Sequence, residues 1–344
     1  MTNLKVGIAM SGGVDSTVAA ALLKEQGHEV HGFFMLLPLP GLEEQIKRVT
    51  RVAGELDFPL HLVDLRDSFS GTVISYFIQS YRQGKTPNPC VVCNQKIKFG
   101  ALLDAILDKG MDRAATGHYA RVLREDNQSF LHRGMDATKD QSYFLCRLAE
   151  KNLQHLTLPL GEWTKKEVHA KAHQLEFTEL SLQESQDVCF LPQGLGPFLR
   201  CHGVNDRRGE IVTTDGQCLG NHRGIWHYTV GQRRGLGLPD ATPWYVVGLG
   251  GNDNQVIIGK NLDLFKSTVA LHDLRWNGPV LSLPWQGLVQ LRSRHRAAPA
   301  SLTQNGPDSW TISFKEPQRA ITPGQFAVLY REDRIVGSGV ITAP

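Results

Sequence analysis

Ser11-Gly12-Gly13-Val14-Asp15-Ser16 joins an apolar run at 4–10 to a helical periodicity at 14–24, and this junction limits the N-terminal part of the chain to few folds. The run is short, apolar and followed at once by glycines, so it reads as a buried strand entering a tight turn. Gly12 and Gly13 remove the Cβ atoms that would hold a ligand away from the backbone. Gly27 supplies the stop of the helical pattern. Strand, glycine turn and helix start together aim unpaired N–H groups and the positive end of a helix dipole at one point, which suits a pyrophosphate. Ser11 and Ser16 offer hydroxyl donors, and Asp15 offers the carboxylate that magnesium takes alongside phosphate oxygens. A plain strand-to-helix turn needs the two glycines but neither both serines nor the aspartate. No Gly-x-x-x-x-Gly-Lys-Ser/Thr loop occurs in the sequence, which argues against a kinase or GTPase.

Strand and helix signals then alternate at 29–36, 42–56, 60–65, 69–81, 98–107 and 113–116, with further helices expected at 140–148 and 165–174. Alternation of this kind builds a parallel sheet covered by helices, with ligands at the carboxyl ends of the strands. Beyond residue 200 glycines become dense and the runs turn short and β-like, at 210–213, 224–228, 244–247, 256–258, 289–292, 310–314, 326–330 and 335–341. Regular short strands separated by turn residues predict small β domains, the last a barrel. The expected organisation is therefore an α/β N-terminal domain over 1–200, a central small β domain over 201–265 and a C-terminal β-barrel over 266–344. A chain of 344 residues with 41% hydrophobic content has the apolar surface for several cores.

The N-terminus lacks signal-peptide character and the apolar stretch 33–40 is too short and proline-broken to span a bilayer, so a cytoplasmic protein without membrane association is expected. Its six cysteines then stay reduced, and a clustered pair reads as catalytic or metal-binding. Thr86-Pro87-Asn88-Pro89 stiffens a loop that displays Cys90 and Cys93, and Cys189 follows the polar residues Glu184, Ser185, Gln186 and Asp187. Cys146, Cys201 and Cys218 stand alone and are expected to be small buried hydrophobes. A net charge of +3 leaves any RNA argument to local patches, such as Arg292, Arg294, His295 and Arg296. Singly, each patch reads as well as a solvated face.

The first loop resembles the pyrophosphatase loop of the N-type ATP pyrophosphatases, which activate a carbonyl oxygen as its adenylate. Together with Cys93-Asn94, Ile97-Lys98-Phe99, Thr116-Gly117-His118-Tyr119, Lys139-Asp140-Gln141-Ser142-Tyr143-Phe144, Cys189-Phe190, Gly231-Gln232-Arg233-Arg234 and Thr322-Pro323-Gly324-Gln325, it makes the chain similar nearly end to end to the tRNA-specific 2-thiouridylases. That resemblance implies an adenine nucleotide alpha-hydrolase-like first domain and ATP-dependent replacement, by sulfur, of the 2-oxygen of the wobble uridine in tRNA. It implies ATP contacts from Ala9, Met10, Ser11, Gly12, Gly13, Val14, Asp15, Ser16, Met35 and Gly117. Asn88, Pro89 and Cys90 would lie beside the target base, and His118, Lys139, Asp140, Gln141, Arg294, His295 and Gln325 would touch tRNA. Cys93 would be the nucleophile and Cys189 the persulfide carrier. Lys96 and Lys98 would favour thiolates, or else stand as plain surface lysines.

The chain departs from the commoner family pattern at Cys90, where many members carry aspartate, and at 37–42, where many have a longer insert. Contacts made by that insert do not transfer. Three cysteines then converge, and two accounts of the sulfur stand open: a persulfide on Cys189, or a four-iron four-sulfur cluster on Cys90, Cys93 and Cys189 with sulfide on its unligated iron. The sulfur donor is a relay protein, a cysteine desulfurase or sulfide. Rival functions are an amidating synthetase of the same superfamily and a non-catalytic tRNA-binding module.

Overall fold

The computed structural model describes residues 3–177 and 188–342. The polar run 184–187 before Cys189 lies outside the described residues. Strands β1 (Lys5–Met10), β2 (Glu29–Leu36), β3 (Leu60–Asp64), β4 (Arg113–Ala115) and β7 (Leu156–Thr157) form a parallel sheet in the order β3-β2-β1-β4-β7. β2 and β3 continue on one side of β1 and β4 starts the other side. The sheet therefore reverses direction between β1 and β4, and the loops leaving their carboxyl ends face one crevice. Helix α1 (Val14–Glu25) packs Val18, Ala19, Leu22 and Leu23 onto Val6, Ile8, Val30 and Phe34. Helix α2 (Leu42–Glu55) covers the same face through Val49, Val52 and Ala53.

A four-stranded sheet follows, β10 (Tyr245–Gly250), β11 (Gln255–Gly259), β8 (Gly209–Thr213) and β9 (Cys218–His222) in that order. The last unit is a closed barrel of β12 (Phe265–Trp276), β15 (Ser309–Arg319), β14 (Ala298–Gly306), β13 (Trp285–Gln290), β16 (Phe326–Arg331) and β17 (Arg334–Ile341), sealed by pairing of β12 with β17. Closure leaves no free edge in the ring, and Val289, Leu302, Ile312 and Leu329 fill it.

The first domain also reaches into that barrel. A hairpin, β5 (Ala120–Glu125) and β6 (Gln128–Arg133), leaves the crevice and pairs with β17 at His132 and Arg334. Its turn residues Asp126 and Asn127 have φ of 49° and 63°, the paired left-handed geometry of a tight two-residue hairpin loop. Arg121 and His132 meet Asp333 across the seam, and the buried Arg147 donates to the carbonyls of Asp273 and Ser338 at 2.8 and 2.9 Å. One hydrophobic cluster runs through the join, with Tyr143 and Leu131 against Phe326, Val328 and Tyr330.

Three local expectations are corrected. The predicted helix 140–148 is only a 3-10 turn at Ser142–Leu145, because the Asp140 carboxylate accepts from the Gly134 and Ser142 N–H groups at 3.0 Å each and competes with helix continuation. The predicted strand 224–228 is a 3-10 turn at Ile225–His227, closed by His227 N donating to Gly224 O at 3.2 Å and Tyr228 N to Ile225 O at 3.1 Å. The stiffened loop carrying Cys90 and Cys93 is itself a short helix, Pro89–Cys93.

Candidate active site: a nucleotide cleft beside three cysteines

The crevice at the sheet reversal is a cavity of about 390 Å3. β1 and its loop contribute Ala9, Met10, Ser11, Gly13, Val14, Asp15 and Ser16; β2 contributes Met35; the segment after β4 contributes Thr116, Gly117, His118 and Tyr119; Lys98, Lys139, Gln141 and Lys165 complete it. Of the predicted nucleotide residues Gly12 alone is not in the lining, and its φ of +71° is the turn that glycine permits. Gly13 caps α1 without any side-chain bond, leaving the first-turn N–H groups to a ligand.

Both serines line the cleft and also bond within the loop. Ser16 Oγ donates to Gly13 O at 3.0 Å and accepts from Ser11 N at 3.2 Å, while Ser11 Oγ accepts from Gly13 N at 3.3 Å. They tie the loop to itself and hold its N–H groups in place. Gly117 packs against the same turn, and a Cβ there would stand 2.8 Å from Asp15 C and 2.9 Å from Ser16 N. The Asp15 carboxylate receives Tyr119 OH at 2.8 Å and Lys165 Nζ at 2.7 and 2.9 Å.

The cysteine helix exists because Asn88 accepts from Val91 N at 3.4 Å and Pro89 occupies the first turn, both favourable helix starts. Val91 is fully buried, which leaves Cys90 exposed and Cys93 half-buried on the other faces. Asn94 Nδ2 donates to Phe144 O at 3.1 Å and pins the helix exit. Cys189 is brought over by its neighbour Phe190, whose ring packs edge-on against Phe77 and Phe69 at 5.1 and 5.8 Å. The three thiols stand close enough to influence one another's charge, and burial pushes all three upward, Cys93 to about 12. Lys98 opposes the shift at each, so of the two predicted lysines only Lys98 acts there. His118, wholly enclosed, is held neutral by burial and by Lys98, and its Nδ1 lies 2.7 Å from Thr116 Oγ1.

Cys93 at pH 7 thus carries about 1,000-fold less thiolate than a cysteine with its ordinary value near 9. Iodoacetamide mapping by mass spectrometry is expected to label the exposed Cys201 and Cys218 long before Cys93, whose labelling rises about tenfold per pH unit from 7 to 9. Equal rates at neutral pH would contradict this environment. Exposure of those two also corrects the expectation that all three solitary cysteines are buried; only Cys146 is.

Among the described residues, no three His, Cys, Asp or Glu side chains stand in an arrangement that holds a metal ion. Cys90, Cys93 and Cys189 as placed form no such group. Asp15, a single carboxylate at a phosphate-shaped loop, matches the donor set that magnesium takes.

Residues 4–193 match the family described as tRNA methyl transferase HUP domain, 197–260 its PRC-barrel domain and 266–341 the aminomethyltransferase beta-barrel domain. Among curated proteins, tRNA-specific 2-thiouridylase MnmA of Desulfotalea psychrophila is 45% identical over 97% of this chain and 98% of its own length. Those of Syntrophotalea carbinolica and Syntrophomonas wolfei are 43% and 42% identical, each over 98% of this chain and over 99% and 100% of their own lengths. This chain belongs to the tRNA-specific 2-thiouridylase family. The methyl transferase wording of the family description is not shared by these full-length relatives.

Seen as a 2-thiouridylase, the chain places its remaining predicted residues in two groups. His118, Lys139 and Gln141 line the nucleotide cleft itself. Gln141 supports the segment after β4, accepting from Tyr119 N at 3.0 Å and donating its own N–H to Tyr119 O at 2.8 Å. Asp140 is turned inward to Arg133, Gly134 and Ser142. Arg294 and Gln325 line a second hollow of about 370 Å3 with Thr86, Thr229 and Arg292, where all three domains meet. There Gln325 Nε2 donates to Thr86 O at 2.8 Å, and Thr86 N donates to Pro323 O at 3.0 Å, so the barrel grips the entry to the cysteine helix. His295, beside it, accepts from Leu291 N at 3.4 Å and is kept neutral by burial and by Arg292.

Sequence reasoning missed Lys165 and Tyr119 as partners of Asp15. Tyr119 stood in a motif already noted, but nothing local marks Lys165, which is 150 residues from Asp15.

Proposed function

We propose that this 2-thiouridylase binds ATP in the cleft, transfers AMP to the C2 oxygen of the wobble uridine of tRNA, and displaces AMP with sulfur delivered from Cys189. The observation that carries the reading is a loop of free helix-start N–H groups opening onto the same space as Lys98, next to Cys90, Cys93 and Cys189. A urea-like C2 oxygen leaves very poorly, and adenylation makes it part of a good leaving group. Loop N–H groups favour the departing diphosphate, and Asp15 would hold the magnesium that neutralises it. The uridine must leave its stack to bring C2 within reach of the thiols.

The terminal sulfur of a Cys189 persulfide attacks C2 and AMP departs. Cys93 thiolate then attacks Cys189 Sγ, breaking the sulfur–sulfur bond, so the uridine leaves carrying sulfur and a Cys93–Cys189 disulfide remains. A thiol reductant restores the pair. A relay protein or cysteine desulfurase then renews the persulfide by passing the outer sulfur of its own persulfide to the Cys189 thiol and keeping a thiol itself; sulfide renews it only by attacking Cys189 Sγ in the Cys93–Cys189 disulfide, in place of the reductant, which frees the Cys93 thiolate. In an equivalent route Cys93 attacks Cys189 first and hydrosulfide reaches C2. Since Cys93 rests protonated, a base must take its proton in either route.

Lining of the three-domain hollow by Arg292 and Arg294 supports tRNA backbone binding there. Arg294→Ala is expected to weaken tRNA binding and lower its salt slope by about one, with ATP affinity unchanged. Loss of both affinities together would point to misfolding. No helix among the described residues is long and apolar enough to cross a membrane.

The deciding experiment is anaerobic reconstitution with ATP, magnesium, sulfide and unmodified tRNA. RNA-stimulated diphosphate release with appearance of 2-thiouridine is expected. Amide or amine products would instead support the synthetase rival, and tRNA affinity without diphosphate release the binding module.

A further inference from the structure

We propose that Lys165 is a ligand of the nucleotide's polyphosphate, its ammonium turning from Asp15 to the phosphate oxygens and staying with them until diphosphate leaves. The inference rests on the nucleotide-cleaving reading above and adds to it a residue outside every motif noted in the sequence.

Geometry makes the case. The ammonium contacts both Asp15 oxygens from within the cleft lining, and the Lys165 side chain is only 12% exposed. Its root is fixed from two directions. Thr164 and Glu167 form a reciprocal cap on the helix Lys165–Gln174, and Asp136 Oδ2 accepts Lys165 N at 3.0 Å. The helix start is thereby rigid while the four-carbon stem can redirect the charge, which suits a phosphate handler.

Charge accounting points the same way. Asp15 sits on the first turn of α1, where the loop N–H groups favour an anion. A polyphosphate laid on that loop brings several negative charges against the Asp15 carboxylate, and Lys165 is the cation already in contact with both oxygens of that carboxylate. The following residue, Lys166, is exposed and outside the lining. Lys98, in the same cavity, lies toward the thiols. The cleft is thus ordered, with its diphosphate end at Asp15 and Lys165 and its uridine end at Lys98 and Cys93.

The test uses the full chain and inorganic diphosphate with magnesium, followed by calorimetry. Lys165→Met should weaken diphosphate binding about 10- to 100-fold, the range for a lost charge-assisted hydrogen bond, whereas Lys166→Met should not change it. Unchanged binding by a folded Lys165→Met overturns the inference. Affinity for tRNA reports folding, and if Lys165→Met loses that too, the wild-type chain decides. Diphosphate should slow acylation of Lys165 relative to Lys166, and equal protection of both overturns the assignment. If wild type itself releases no diphosphate with tRNA, the nucleotide-cleaving reading fails; if it does and Lys165 is indifferent, only this inference fails.

Discussion

Cys93→Ser is expected to lower 2-thiouridine formation by roughly 1,000-fold or more while diphosphate release with tRNA stays within a few-fold of the parent chain. The split follows from the layout. Activation depends on the loop after β1, whereas Cys93 sits on a separate helix held by Asn88, Val91 and Asn94. A serine is close in size, so helix packing survives. What is lost is the thiolate that opens the Cys189 persulfide, a step for which an alcohol is no substitute. Nucleoside mass analysis and a diphosphate assay on the same samples read the two halves. Near-parental thiolation by this variant would remove Cys93 from the reaction.

The second large effect is expected at Gly117. A Cβ there meets Asp15 C at 2.8 Å, Ser16 N at 2.9 Å and Asp15 O at 3.0 Å, all backbone atoms that cannot swing aside. Gly117→Ala must push α1's first turn away from the segment after β4, which overpacking data price at about 1–3 kcal/mol. Because the displaced atoms form the nucleotide loop, ATP affinity should fall about 10- to 100-fold, the cost of one misaligned N–H-to-phosphate hydrogen bond. Thermal unfolding and ATP calorimetry check both numbers. Parental ATP affinity would show that the loop tolerates the shift.

Much of the fold is legible in the residues because its signals are local. β2 matches its expected span 29–36, and the expected helix 165–174 is reproduced with its cap. Each depends on periodicity and neighbouring turn residues. The hairpin at 120–133 was missed although Asp126-Asn127 is a recognisable two-residue turn pair. β9 of the central sheet and β12 and β14 of the barrel were missed because they are too polar or irregular to stand out singly and are held by pairing with their neighbours.

The sequence by itself determined the glycine loop, the strand and helix that flank it and the presence of a thiol pair at 90 and 93, since each is written in residues within one turn or strand of each other. Only the tertiary structure decided that Lys165 closes on Asp15, that Phe190 carries Cys189 to the cysteine helix, and that the barrel's Gln325 holds Thr86. Those contacts join residues about a hundred or more positions apart, and local propensity carries no information about them. They are selected by burial: apolar clusters fix which segments are neighbours, and the polar groups trapped beside them must find partners there.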